Sequence, residues 1–85
     1  MTTVIGRRHD LAEDDYALEM GEYGKNSDGW FCRVPAPGFS TGGLPNHQVV
    51  EHEDGTITVS PSILSYGHDG KQWHGYLERG VWREV

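Results

Sequence analysis

The segment from Trp73 to Val85 constrains the fold of this chain more than any other. It contains two runs of aromatic and β-branched residues, WHGYL and VWREV, which are separated by Glu78-Arg79-Gly80. Residues of these types favour extended strands, and a short glycine-containing connection between two such runs predicts a β-hairpin. The preceding segment from Thr56 onward continues the strand-like pattern, so the fold is expected to be organised around its carboxyl-terminal third.

A two-residue turn at Arg79-Gly80 would pair Leu77 with Trp82 and Gly75 with Glu84. Side chains alternate along a strand, so the hairpin would have one apolar face, on which Gly75 leaves space for an indole ring. That face comprises Trp73, Leu77 and Trp82. The opposite face comprises His74, Tyr76 and Arg83, where the guanidinium is placed to contact the phenol ring. A three-residue loop with a bulge would shift this pairing by one residue.

Length and charge narrow the classes of protein. A chain of 85 residues forms one small domain (1–85) with a limited core, and a single cysteine excludes an internal disulfide framework. No apolar run is long enough to span a bilayer and the first residues lack a signal-peptide pattern, so we expect a cytoplasmic protein with no membrane contact. Thirteen acidic residues against seven basic ones give a net charge of −6, which argues against direct nucleic-acid binding.

The acidic segment Asp10–Met20 is predicted to form a short helix. Its apolar residues recur at helical spacing, Asp10 can cap the first turn with Glu13 three residues later, and Gly21 would end the helix. The alternative is that residues 1–24 form a flexible acidic arm, with residues 1–6 as an edge strand or a frayed tail.

The remaining chain, 29–85, is predicted to be a β-rich core. Residues 30–34 form a strand that Pro35 ends, and the following loop, 35–45, either carries Phe39 and Leu44 onto the core or has a binding role. The fold class is therefore mainly β, a small antiparallel meander with one short N-terminal helix.

A second hairpin is predicted to turn at Asp54-Gly55. This turn would place His52 opposite Ile57, among aliphatic side chains, and Val50 opposite Val59. The following Ser60–Ser62 segment, which contains a proline, is expected to break the strand before a further short strand begins.

Catalytic and metal-binding patterns are weak. Five histidines and Cys32 show none of the closely spaced pairs typical of zinc sites, and Cys32 within an apolar strand is typical of a buried hydrophobic residue. No nucleophile, base and orienting group are arranged in a recognisable motif, and no phosphate-binding loop is present. We therefore predict no enzyme activity, no metal and no cofactor.

The aromatic content instead points to binding. Three Trp and four Tyr exceed what so small a core requires, and aromatic residues commonly anchor interfaces. At least one aromatic face is expected to be covered by another molecule, unless the 35–45 loop and the N-terminal helix cover both faces. The predicted binding residues are Trp73, His74, Tyr76, Arg83, Tyr66 and Trp30.

The elements SPSI, WHGYL and GVW, within residues 54–85, resemble a family of small uncharacterised proteins of actinobacteria and their phages and prophages. Residues 29–45 resemble it more loosely. Some members have cysteines at positions equivalent to 35–38 and to Trp73, which would suit zinc; this chain has Pro35, Ala36, Pro37, Gly38 and Trp73 there. The resemblance implies a phage-related context and no established activity.

Together these features predict a non-enzymatic phage-type accessory protein, located in the host cytoplasm or the virion. It would bind a host or phage protein, or form a homo-oligomer, through the aromatic hairpin. One alternative is a protein that sequesters a small planar, nucleotide-like ligand, whose phosphates would meet Arg33, Arg79 or Arg83. The other is a component that decorates the virion.

Overall fold

The computed structural model describes residues 3–85, which form nine strands and one 3₁₀ turn. The strands are β1 (Thr3–Ile5), β2 (Arg7–Arg8), β3 (Glu22–Asn26), β4 (Gly29–Cys32), β5 (Gly42–Gly43), β6 (Gln48–Glu51), β7 (Ile57–Tyr66), β8 (Gln72–Glu78) and β9 (Val81–Glu84). The 3₁₀ turn spans His68–Gly70. The prediction of a mainly β protein is confirmed.

The strands form two sheets. The five-stranded sheet has the order β1-β9-β8-β7-β6 and is antiparallel throughout, and the four-stranded sheet has the order β2-β3-β4-β5. Only the β2–β3 pair of the four-stranded sheet is parallel. The chain crosses from the five-stranded to the four-stranded sheet at Gly6 and returns to the five-stranded sheet after Gly43.

The hairpin of β8 and β9 has the predicted register. Leu77 pairs with Trp82 and Gly75 with Glu84. A Cβ atom on Gly75 would lie 2.6 Å from Cη2 of Trp73 and 2.4 Å from the carbonyl oxygen of Arg83, so glycine is required for the ring to pack there. The predicted apolar face is buried: Trp73 is 3% exposed, and Leu77 and Trp82 are fully buried.

The core lies between the two sheets. The rings of Trp73 and Trp82 meet edge to face, with centroids 5.5 Å apart, in an arrangement favourable for two aromatic quadrupoles. From the four-stranded side, Tyr23 and Cys32 pack against the same cluster. Phe39 and Leu44 are also buried in it, which confirms that the 35–45 loop carries two side chains onto the core.

The predicted helix at Asp10–Met20 is wrong. The segment has no regular structure, and Asp14 has a positive φ of 62°. The backbone N–H groups of His9 and Leu11 donate to the carbonyls of Tyr23 and Lys25, so the first part of the segment runs along β3. These bonds to a neighbouring strand replace the bonds that a helix would form within itself. Residues 3–26 thus supply three strands, and the β structure is not confined to 29–85.

The predicted register of the β6–β7 hairpin is also wrong, by one residue. Glu51 pairs with Ile57, and His52 N–H donates to the Thr56 carbonyl, so the loop contains three residues and ends in Gly55 at a φ of 87°. Such a loop is a common alternative to the two-residue turn. His52 is consequently half-buried and bonded to Thr58 Oγ1 at 2.7 Å. It does not lie among the inner aliphatic side chains.

The expected break at Ser60–Ser62 is replaced by an irregularity within one continuous strand. β7 runs for ten residues, and its pairing with β8 shifts register between Val59 and Ile63. A bulge of this kind accommodates Pro61 without ending the strand, because the residues opposite it are released from the regular ladder.

Candidate docking surface

The outer side of the four-stranded sheet is covered by the chain itself. Tyr16 packs its ring edge against Phe31 at 5.0 Å between centroids. The Arg33 guanidinium donates to the Leu18 carbonyl at 2.9 Å, and the Leu18 N–H donates to Thr41 Oγ1. Leu18 is only 3% exposed as a result. The acidic segment therefore acts as a third layer on this side.

The five-stranded sheet has no such layer among the described residues. We call the face directed away from the four-stranded sheet the outer face. Strand alternation and pairing place an apolar or aromatic side chain from every strand on it. These are Ile5 (85% exposed), Val81, Tyr76, Leu64 (48%), Tyr66 (68%) and Val50 (45%). Exposed apolar side chains on neighbouring strands are typical of a contact surface.

The centre of the outer face carries a stacked arginine. The guanidinium carbon of Arg83 lies 4.5 Å from the ring centroid of Tyr76, as the sequence predicts. Its Nη2 donates to a carboxylate oxygen of Glu78 at 3.1 Å. The two charges on this part of the face thus neutralise each other, and the surface is close to neutral in a protein of net charge −6.

His74 lies beside this group on the same face. Its Nε2 is 2.8 Å from Ser62 Oγ of β7, and its ring is exposed. The bond connects β8 to the irregular part of β7, where regular ladder pairs are missing. It fixes the imidazole between Leu64 and Tyr76.

Four of the six predicted binding residues lie on the outer face: His74, Tyr76, Arg83 and Tyr66. Trp73 does not, because its ring is sealed in the core against Trp82, and the prediction that it contacts a partner is corrected. Its spacing of two from Gly75 and four from Leu77 along β8 places it on the inner face with them.

Trp30 lies in the four-stranded sheet, away from the other predicted binding residues. Its half-buried ring packs against the core, and Arg8 and Lys25 approach it at 5.2 Å each. Both cations are bound by Glu51 of the other sheet, at 2.6 Å and 3.3 Å. Trp30 is therefore part of a charged contact between the sheets.

Sequence reasoning missed four residues of the outer face: Ile5, Val50, Leu64 and Val81. The alternation of Ile63, Leu64, Ser65 and Tyr66 was the available signal for Leu64. Val50 was missed because the β6–β7 register was wrong by one residue, which exchanges the two faces of the strand. Ile5 could be assigned only once β1 was known to pair with β9.

The potentially reactive groups are dispersed. Cys32 is 5% exposed, and burial raises the pKa of its thiol to about 12, so it stays protonated and unreactive at neutral pH. Among residues 3–85, no three His, Cys, Asp or Glu side chains come together in a way that could hold a metal ion. Arg33 directly follows β4 of the four-stranded sheet, whereas Arg83 lies in β9 of the other sheet. Arg33 and Arg79 line two separate pockets.

Comparison of the chain with protein families, with characterised proteins and with solved structures finds no match. The described part of the chain contains no helix of the length and apolar character that a membrane span requires. The fold and the distribution of its side chains therefore define the class of protein: a two-sheet β protein with one covered and one uncovered outer side.

Proposed function

We propose that this chain is a non-enzymatic phage-type accessory protein that acts by binding protein through the outer face. The observation that carries the proposal is the contrast between the two sheets. The acidic segment covers one outer side, whereas the other presents Ile5, Leu64 and Tyr66 to solvent. Burying such side chains contributes roughly 25 cal/mol per Å² of apolar area, so association is favoured.

The occupant that we propose for the outer face is a second copy of the chain. Seven of the thirteen acidic residues precede Gly29 and belong to the side of the four-stranded sheet. On the outer face, the charges of Arg83 and Glu78 are already paired. Two copies packed face to face would keep their acidic sides apart, so the net charge of −6 on each would oppose association little.

The dimensions of the face fit this occupant. Five strands spaced about 4.8 Å apart give a width of about 24 Å, and the longest two, β8 with seven residues and β7 with ten, run for about 23 Å and about 33 Å. The area of such a face is of the same order as the roughly 800 Å² per partner that a specific dimer buries. A dimer would also add stability to a domain whose own core is small.

The phage-related setting comes from the resemblance of the SPSI, WHGYL and GVW elements. We propose that the protein acts in the host cytoplasm or as part of the virion. In either setting, a host or phage protein that binds the outer face would have to displace the second copy.

Leu64→Lys tests the proposal. It places a charge at the centre of the outer face, and we expect it to convert a dimer into a monomer in sedimentation velocity. Met20→Lys is the matched control, because Met20 is 52% exposed against 48% for Leu64 but lies at the end of the acidic segment. The control should remain dimeric.

Tyr76→Ala is the second variant, because it removes the ring under Arg83 without adding a charge. We expect a weaker dimer, and a nearly unchanged thermal midpoint at concentrations low enough for both proteins to be monomeric. A wild-type protein that sediments as a monomer at hundreds of micromolar would overturn the proposal, as would equal dissociation of the Leu64 and Met20 variants.

A further inference from the structure

Three basic residues form no ion pair among residues 3–85. The ion pairs in this part of the chain engage Arg7, Arg8, Lys25 and Arg83. The remaining three of the seven bases are Arg33, Lys71 and Arg79. In a protein of net charge −6, acidic side chains outnumber basic ones, so basic side chains without an acidic partner are unexpected. The positions of these three residues therefore indicate where an anion could bind.

Two of the three converge on the Gly38–Phe39 peptide. Nε of Arg33 donates to the Phe39 carbonyl at 3.0 Å. A Cβ atom on Gly38 would lie 3.2 Å from Nζ of Lys71. His68, in the 3₁₀ turn, donates its backbone N–H to the Gly38 carbonyl at 2.9 Å. One backbone segment is thus bordered by a guanidinium and an ammonium group, and its Gly38 carbonyl is bound by the His68 backbone.

Arg33, Gly38 and His68 line an open pocket of about 600 Å³, and Nζ of Lys71 lies beside Gly38. Arg33, His68, Ser40 and Thr41 line it, and their side chains supply hydrogen-bond donors. The Arg33 guanidinium is fixed by the carbonyls of Phe39 and Leu18, and its Nη2 has no hydrogen-bond partner in the described chain. A guanidinium held in this way with free N–H groups is well suited to bind an oxyanion.

Tyr16 completes the pocket with a flat surface. Tyr16 lines the same pocket and is 42% exposed. Its ring meets the Phe31 ring edge to face and does not stack on it. An aromatic ring beside a guanidinium and two hydroxyl donors matches the chemistry of a molecule that carries both a phosphate and a planar ring.

We infer that this pocket binds a small molecule of that class, such as a nucleoside monophosphate. The phosphate contacts Arg33, Lys71 and the hydroxyl groups of the loop, and the ring lies against Tyr16. The inference does not rest on the outer face, since none of the residues that line the pocket belongs to that face.

Titration with adenosine monophosphate and, separately, with inorganic phosphate tests the inference, with the backbone amide chemical shifts of Ser40, Thr41 and His68 as the readout. We expect saturable shifts of these amides, with the monophosphate binding more tightly than phosphate. Lys71→Gln should weaken monophosphate binding about threefold to fivefold, the effect of losing one charge contact at an exposed site.

Arg79→Asn is the matched control, because it also removes one unpaired positive charge but lies at the tip of the β8–β9 hairpin. It should leave the binding constant unchanged. Unshifted amides, equal affinities for the two ligands, or equal weakening by the Lys71 and Arg79 variants would each overturn the inference.

Discussion

The indole N–H of Trp82 donates a hydrogen bond to the Gly21 carbonyl at 2.9 Å, and this bond joins the two sheets. Trp82 belongs to β9 of the five-stranded sheet, and Gly21 directly precedes β3 of the four-stranded sheet. The ring is fully buried, so its polar atom needs a partner inside the protein. A Cβ atom on Gly6 would lie 2.8 Å from the same nitrogen, so the first crossing between the sheets also packs on this indole.

Trp82→Phe should lower the free energy of unfolding by about 1–3 kcal/mol, because it removes the hydrogen bond and leaves unfilled volume. Gly21 O keeps its bond from the Arg7 N–H, which limits the loss. Urea denaturation provides the measurement. The matched variant Trp30→Phe should cost less, since Trp30 is only half-buried and its indole has no hydrogen-bond partner among residues 3–85. Equal stability of the Trp82 variant and the wild type would contradict this role.

Gly75→Ala should destabilise the protein by about 1–3 kcal/mol, because a methyl group there overlaps the Trp73 ring and the Arg83 carbonyl. Gly42→Ala is the control: no atom lies within 4 Å of its Cβ position. The midpoints of guanidinium denaturation of the two variants should therefore differ clearly. If they coincide, the Trp73 ring does not occupy the space above Gly75.

Acid should destabilise the protein partly through Glu22. The Glu19 backbone N–H and, next, the Arg7 guanidinium lower the pKa of this buried carboxyl below its ordinary value of 4.5, although burial opposes them. A group whose pKa is lower in the folded state contributes stability above its unfolded pKa and loses that contribution as the pH falls through the folded pKa.

Glu22→Gln should therefore lower the thermal midpoint at neutral pH and flatten its decline as the pH falls through and below the ordinary carboxyl pKa of 4.5. Glu53→Gln, at an exposed side chain with no ion pair among residues 3–85, controls for the loss of one carboxylate. A wild-type decline as shallow as that of the Glu22 variant would contradict the assignment.

Arg79 adopts a left-handed backbone at the tip of the β8–β9 hairpin, with a φ of 45°. Asn tolerates this conformation better, so Arg79→Asn should raise the free energy of unfolding by roughly 0.5–1 kcal/mol. Arg79→Ala removes the same charge but keeps the strain, and should give no such gain. Thermal unfolding distinguishes the two, and equal effects would show that charge, not backbone strain, governs stability at this position.

The β8–β9 hairpin could be predicted from sequence because its large apolar residues leave one register that buries Trp73, Leu77 and Trp82 together. In the β6–β7 hairpin, the residue pattern does not select one register. Positions 49 and 50 are both valine, so the residue pattern allows either face of the strand to point inward. The loop at Asp54-Gly55 sets the register, because it contains three residues and not two.

The acidic segment shows a second limit of prediction from sequence. Its apolar spacing fits a helix, yet Leu11 and Leu18 are buried without one. The backbone N–H of Leu11 donates to the Lys25 carbonyl of β3, and the backbone N–H of Leu18 donates to Thr41 Oγ1. These partners lie 14 and 23 positions further along the chain, beyond the range of a local pattern. The uncovered outer face was partly predictable, since Tyr76 and Arg83 follow from the hairpin, whereas Ile5 depends on the pairing of β1 with β9.

The dependence of backbone amide chemical shifts on protein concentration tests the docking surface most directly. The shifts of Leu64, Tyr66 and Tyr76 should move together on dilution, as the second copy leaves the outer face. The shifts of Tyr16 and Met20, on the covered side, should stay constant. Constant shifts at Leu64, Tyr66 and Tyr76 across the whole concentration range, or changes centred on Tyr16 and Met20, would contradict the proposed docking surface.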